Sequence, residues 1–169
     1  MTESMSSTAK QRSMLSPILA TGLLAGFLDG LAASVQYFIK TGKGPAPVFR
    51  FIASGVFGKD AFAGGNIMII WGVVFHFIIA ALFTIFFFLV YPKIKMFSKN
   101  RIVTGIFLGI FTWLVMNLTV LPLSNTPPLT KTFSGVMTGV IILVLAIGMP
   151  VSFVAHQYYK HKIHLKSNS

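Results

Sequence analysis

Four long apolar segments constrain this chain more than any other feature of its sequence. They cover about residues 17–39, 67–91, 102–123 and 133–155, and more polar stretches separate them. An α-helix needs about 20 consecutive apolar residues to cross a bilayer core about 30 Å thick. Because backbone groups in lipid must be hydrogen-bonded within the chain, each segment predicts a transmembrane helix. The expected fold is an all-α bundle of four transmembrane helices.

Composition supports a membrane protein and leaves little chain for a separate soluble domain. Of the 169 residues, 54% are hydrophobic and 10% are charged, and the mean hydropathy is +0.79. These values lie outside the usual range of soluble globular proteins. We therefore expect one membrane domain over residues 16–159, between a disordered tail at residues 1–15 and a basic tail at residues 160–169.

Basic residues outnumber acidic ones, with 14 Lys and Arg against Glu3, Asp29 and Asp60. Most of the cations lie between or beyond the apolar segments, where they set topology and attract anionic lipid headgroups. This placement favours the membrane interface over nucleic acid as the partner of the positive charge. If both termini are cytoplasmic, nine of the cations lie inside and five outside, and the positive-inside rule favours that orientation.

The connection between the first two segments has a helical pattern of its own. Val48, Ile52 and Val56 recur at helical spacing, whereas Ser54 falls on another face. This pattern predicts a short amphipathic helix within residues 46–58 that lies in the membrane interface. An ordered loop packed over the bundle is the alternative, and the sequence leaves both open.

Glycine recurs at intervals of four along the apolar segments. Such small residues let helix backbones approach each other closely in lipid. The pattern predicts contacts within one bundle or between copies of the chain. The expected helix-packing positions are Gly22, Gly26, Gly30, Gly72, Gly105, Gly109, Gly135 and Gly139.

Each predicted helix carries a polar side chain at a similar depth, namely Asp29, His76, Asn117 and Thr138. A carboxylate near the middle of a bilayer costs about 2.5 to 3.5 kcal/mol, so Asp29 must face protein, water or a partner. One hypothesis pairs Asp29 with His76 inside the bundle, with Asn117 completing a polar site. The alternative is that each polar group only links neighbouring helices by a hydrogen bond.

Motifs for catalysis or metal binding are not recognisable in the sequence. The chain has no cysteine, and its three acidic residues lie in different regions, which excludes thiolate sites and paired carboxylates. His156, His161 and His164 cluster near the end of the chain, but their spacing matches no standard zinc site. A basic anchor on anionic lipid explains them better. We expect no enzymatic activity, no cofactor and no bound metal.

Three stretches resemble a group of small bacterial membrane proteins. They are Gly-Leu-Leu-Ala-Gly-Phe-Leu-Asp-Gly at residues 22–30, Ala-Ser-Gly-Val-Phe-Gly-Lys at residues 53–59, and Trp-Leu-Val-Met-Asn at residues 113–117 before Pro122. These stretches are similar to the YagU-like inner-membrane proteins of unknown function, over about residues 16–159. The resemblance implies a bacterial inner membrane and a four-span fold, and it assigns no catalytic residue.

The sequence favours a non-enzymatic structural or accessory component of the inner membrane, or a small homo-oligomer, with both termini in the cytoplasm. Its partners would be anionic lipid headgroups and a second copy or another membrane protein. The alternative function is a small transporter or channel subunit in which Asp29 and His76 handle a proton or cation. An enzyme acting on lipid is a third class, for which the chain offers no recognisable nucleophile or metal site.

Overall fold

The computed structural model describes residues 14–94, 97, 99–128 and 132–167, with side chains described as far as His161. The predicted tail before residue 14, Lys95 and Lys131, and the side chain of His164 lie outside the described residues.

Helices make up almost all of the described chain. Four of them, α1, α4, α5 and α6, are long and apolar enough to cross a membrane, which confirms the predicted all-α transmembrane bundle. The helices in chain order are α1 (Leu15–Thr41), α2 (Ala46–Phe57), α3 (Asp60–Ala63), α4 (Gly65–Val90), α5 (Arg101–Leu123) and α6 (Phe133–His161).

The observed spans begin and end within two residues of their predicted bounds at seven of eight ends. The exception is α6, predicted to end at residue 155, whose backbone stays helical through Ser167. This extension is held by contacts to the bundle, because the Tyr159 hydroxyl donates a hydrogen bond to the Phe88 carbonyl at 2.6 Å. The helical backbone thus includes residues 160–167, which belong to the predicted basic tail.

The four long helices pack in a fixed order, with α1 between α4 and α6, and α5 against α6. The glycine ridge of α1 lies against α4. A Cβ added to Gly22 would lie 3.4 Å from Ala81, and one added to Gly26 would lie 3.1 Å from the Cβ of Ala80. Close approach in lipid needs such small residues, so this ridge determines how near α1 and α4 can come.

The crossing of α5 and α6 is closer still. A Cβ on Gly109 would overlap the backbone of Val144, and a Cβ on Gly148 would overlap the carbonyl of Gly105. Gly139 faces the indole nitrogen of Trp113, at 3.2 Å from its added Cβ. The backbones of α5 and α6 are therefore in direct contact at a position, Gly148, that the spacing of glycines did not predict.

Gly135 and Gly72 do not lie between two of the four long helices. Gly135 lies in the first turn of α6, where its N–H donates a hydrogen bond to the Thr132 hydroxyl at 3.2 Å. Gly72 of α4 faces α2, and its Cβ would overlap the carbonyl of Phe49. Gly135 is thus part of a helix cap, and Gly72 lets α2 dock on α4.

The helix α2 lies over the bundle and links two parts of it. Its backbone crosses α4 at Gly72, and Asn125 after α5 donates hydrogen bonds from its N–H to Gly55 O at 3.1 Å and from Nδ2 to Val56 O at 3.3 Å. The segment is helical, as one of the two alternatives predicted, and the face that meets the bundle includes Ser54, which is fully buried, whereas Val56 is 58% exposed. The close approach to Gly72 determines which face of α2 is buried.

The end of the bundle where α1 begins and α6 ends, here called the terminal end, is closely packed. Tyr91 donates a hydrogen bond to the carbonyl of Phe97 at 3.1 Å, and its hydroxyl lies 2.8 Å from Nδ1 of His156. Tyr91 also stacks on Tyr159, with ring centroids 5.3 Å apart. The buried side chains in this core include Phe88, Phe97, Leu108, Val151 and Ala155.

Candidate functional site

A cavity of about 450 Å³ lies between α4 and α5, beneath α2. Most of its lining is apolar and comes from these three helices, while α1 contributes Asp29 and α6 contributes Leu143 and Ile147. This volume falls within the range of about 300 to 1,000 Å³ that is typical of small-molecule sites. The cavity is the place where three of the four predicted polar residues meet.

Three of the four predicted polar residues line this cavity, namely Asp29, His76 and Asn117. The fourth, Thr138, is not part of the lining. Its hydroxyl donates a hydrogen bond to the Ser134 carbonyl at 2.8 Å, within its own helix. Residues from α1, α4 and α5 thus come together in one site, and Thr138 of α6 does not join them.

Asp29 and His76 are neighbours without a direct hydrogen bond. Nε2 of His76 lies 2.8 Å from the carbonyl of Gly26 and 4.0 Å from Oδ2 of Asp29. A carbonyl oxygen can only accept, so Nε2 carries a proton and donates it to Gly26. The side chains of Asp29 and His76 are 17% and 12% exposed. The predicted pair is therefore a contact at 4.0 Å in which the imidazole is held by the backbone of α1.

Neighbouring residues fix the position of the imidazole. Gly30 makes room for it, since a Cβ there would lie 3.1 Å from Nε2 of His76. The rings of Phe49 and Phe77 meet His76 edge-on, with centroids 6.2 Å and 5.7 Å away. Because Phe49 belongs to α2, the docking of α2 on Gly72 also positions the site.

Asn117 lies in a widened turn of α5. Residues Met116–Val120 form a π-helical turn, in which the N–H of Leu121 bonds to the carbonyl of Met116, five residues back. Pro122 follows directly, and a proline has no N–H to donate and crowds the carbonyl four residues before it. Asn117 Nδ2 donates a hydrogen bond to the Trp113 carbonyl at 3.1 Å.

A π-helical turn before a proline also occurs in α6. Residues Val144–Gly148 form a π-helical turn just before Pro150, and the N–H of Met149 bonds to the carbonyl of Val144. Ile147 of this turn lines the cavity. Single π turns inside α-helices are frequent at functional sites. Pro122 and Pro150 are the sequence signal for these turns, because the periodicity of apolar residues alone does not reveal a π turn.

Thr112 is a site residue that the sequence did not indicate. It lines the cavity and is 1% exposed, yet its hydroxyl has no hydrogen-bond partner among the described residues. Thr84 and Thr104 instead donate to the carbonyls of Ala80 and Asn100, four residues back, at 2.8 Å each. A buried polar group without a partner costs about 1 to 3 kcal/mol, so the Thr112 hydroxyl is a position at which the described residues leave a hydrogen bond unmade.

A search of the described residues found no group of three or more His, Asp or Glu side chains that could hold a metal ion. Comparison of the chain with protein-family models, curated proteins and solved structures gave no match. The chemistry of the cavity is therefore the basis on which a function can be assigned.

Proposed function

We propose that this protein is a small transporter or channel subunit in which Asp29 and His76 handle a proton or cation. The observation that carries the proposal is that Asp29, His76 and Asn117, from three different helices, line one cavity inside the bundle. Ionisable side chains within membrane spans are costly and usually mark ion or substrate pathways.

The structural or accessory role has less support because the glycine ridges are used within the chain. Gly22 and Gly26 lie against α4, while Gly105 and Gly109 lie against α6. These ridges motivated the hypothesis of assembly between copies, but the contacts within one bundle already account for them. Contacts within the bundle do not account in this way for the cavity that Asp29, His76 and Asn117 line.

A proton on the Asp29 carboxylate would be linked to the contact between α1 and α4. Nε2 of His76 lies 4.0 Å from Oδ2 of Asp29, and its proton is directed to the Gly26 carbonyl, so the imidazole must turn away from Gly26 before it can give that proton to the carboxylate. The hydrogen bond to the Gly26 carbonyl is lost in that movement. Proton transfer would therefore loosen a bond between two helices, which is a way to couple protonation to movement.

Access to the site is proposed from the side of α2. A second cavity of about 330 Å³ lies between α2 and the loop after α5, and five residues line both cavities. Toward the terminal end, Phe86 of α4 stacks on Phe111 of α5 with centroids 5.6 Å apart. A transport cycle would open this aromatic contact. The shared lining residues are Phe51, Asn117, Leu121, Ser124 and Thr126.

The proposed location is the bacterial inner membrane, with both termini in the cytoplasm. The described cations Lys93, Lys99, Arg101 and Lys160 lie near the terminal end, where anionic headgroups would attract them. A green fluorescent protein fused after Ser169 is expected to fluoresce in the cytoplasm, and an alkaline phosphatase fused there is expected to be inactive. Active phosphatase with a dark fluorescent fusion would overturn the orientation and place the α2 side in the cytoplasm.

Proton movement tests the proposed function directly. Proteoliposomes with the wild-type protein are expected to collapse an imposed pH gradient, and Asp29→Asn is expected to reduce this flux to that of protein-free liposomes. The amide has the shape of the carboxylate but cannot take up a proton near neutral pH. An internal pH dye measures the flux.

The control for this variant is Asp60→Asn, because Asp60 is exposed in α3 and lies outside the cavity. Its flux should equal that of the wild type. Wild-type protein without flux, or Asp29→Asn protein with full flux, would contradict the proposed function.

A further inference from the structure

Asp29 has unused capacity to accept hydrogen bonds. None of the described side chains donates one to it, and the Nε2 proton of His76 is directed to Gly26 instead. An ionised carboxylate has about four lone-pair sites. A ligand that brings N–H donors to Asp29 would therefore fill positions that the protein leaves open.

The charged side chains that line the cavity determine whether a cation or an anion would bind there. Among the described residues that line the cavity, Asp29 and His76 are the ionisable ones, although the chain as a whole has 14 Lys and Arg. An anion would face the Asp29 carboxylate, and none of the described residues that line the cavity is a lysine or arginine with which it could pair. A cation complements the site.

The walls of the cavity argue for an organic cation over a metal ion. Phe75, Ile79, Phe83, Leu143 and Ile147 surround the polar groups. Hard metal cations take six or more oxygen ligands, which this lining does not offer. Apolar walls around a few polar groups are instead typical of sites for organic molecules.

The unpartnered Thr112 hydroxyl supplies a second polar contact. It is fully enclosed and lines the same cavity as Asp29. An ammonium group carries three N–H donors, so it needs neutral oxygens in addition to one carboxylate. Thr112 lines the same cavity and can provide one, or can bind a further polar group of the ligand.

Exposed apolar residues also line the cavity. Ile78 of α4 and Val56 of α2 are among them, and they are 50% and 58% exposed. Such side chains suit the apolar part of a ligand. This favours a ligand with a long apolar part over a small polar cation from water.

We infer that the cavity binds an amphiphilic organic cation, with its ammonium group at Asp29 and its apolar body between α4 and α5. The inference names the substrate class of the proposed transporter and rests on that function for its biological role. Binding itself is a property of the cavity, so it can be measured without transport.

The test uses decylammonium as the probe and the full-length protein in nanodiscs of zwitterionic lipid. Saturable binding of decylammonium is expected by isothermal titration calorimetry. Decanol and decanoate, which have the same chain length, are expected to bind about tenfold more weakly or worse, because they lack the charge-assisted hydrogen bond to Asp29. Equal or tighter binding of decanol or decanoate overturns the inference without the need for any variant.

Variants locate the bound ammonium group. Asp29→Asn is expected to weaken decylammonium binding by about tenfold or more, and Thr112→Val by about threefold. Asp60→Asn and Thr84→Val are the matched controls, since Asp60 lies outside the cavity and the Thr84 hydroxyl is already bonded to Ala80. An Asp29→Asn protein that binds decylammonium as tightly as the wild type would overturn the inference.

The outcomes separate this inference from the proposed function. If decylammonium does not bind but proton flux still depends on Asp29, the substrate class is wrong and the proton-handling role stands. If decylammonium binds selectively and depends on Asp29, but no flux occurs, the ligand class is right and the transport role is wrong.

Discussion

Replacing Gly148 with alanine is expected to lower the free energy of unfolding by about 3 kcal/mol, because the added methyl group has no space. Its Cβ would overlap the carbonyl of Gly105 and lie 3.1 Å from the backbone nitrogen of Gly109. Both neighbours are backbone, so no side chain can rotate away to make room. The helices α5 and α6 would have to separate and lose their close contact. Reversible unfolding by SDS in mixed micelles measures the change.

Gly22→Ala is the matched control for this variant. Its Cβ would lie 3.4 Å from the Cα of Ala81, which is an ordinary van der Waals distance. Alanine also favours the helix over glycine by about 1 kcal/mol, so the stability of Gly22→Ala should stay within about 1 kcal/mol of the wild type. If Gly148→Ala unfolds at the same SDS fraction as Gly22→Ala, α5 and α6 do not cross as closely as described.

The four transmembrane spans could be predicted because an apolar chain in lipid has few structures available to it. A segment of about 20 apolar residues must form a helix that bonds its own backbone, so composition and length determine both its type and its bounds. The end of α6 was missed because residues 156–161 are polar or aromatic and lack this signal. Tertiary contacts such as that of Tyr159 with Phe88 extend the helix there.

Glycine spacing located close contacts but not their partners. A pattern on one helix carries no information about the helix that faces it, so Gly72 could not be assigned to α2 from the sequence. The glycine spacing did not predict the contact at Gly148, for a geometric reason. The stripe at Gly135 and Gly139 would continue at residues 143 and 147, but the π turn at Val144–Gly148 adds one residue and moves the stripe to 148.

The candidate site was predictable in part. The depth of each polar residue along its helix indicated Asp29, His76 and Asn117, and these three residues line the cavity. Depth does not show which way a side chain points around the helix axis, and Thr138 forms its hydrogen bond within its own helix. Thr112 could not be found in this way. A threonine in a membrane helix usually bonds the carbonyl four residues back, and its sequence context does not reveal the exception.

Gly72→Ala is expected to detach α2 from the bundle while the four long helices stay folded. The added Cβ would overlap the carbonyl of Phe49, which is again backbone, so the whole of α2 would have to move. The packing of α1, α5 and α6 does not involve Gly72. Hydrogen–deuterium exchange of the amides in residues 46–57 is expected to become about tenfold faster or more, with exchange in α5 and α6 unchanged.

This variant also tests whether α2 holds the site together. Phe49 meets the imidazole of His76 edge-on, and four residues of α2 line the cavity, so displacement of α2 should open the site to water and reduce proton flux and decylammonium binding together. Gly44→Ala is the control, since a Cβ there meets nothing within 4 Å. Unchanged exchange of α2 in Gly72→Ala would show that α2 does not dock on α4. Faster exchange of α2 with flux and binding unchanged would show that α2 covers the cavity without contributing to its chemistry, which would then depend on α1, α4 and α5 alone.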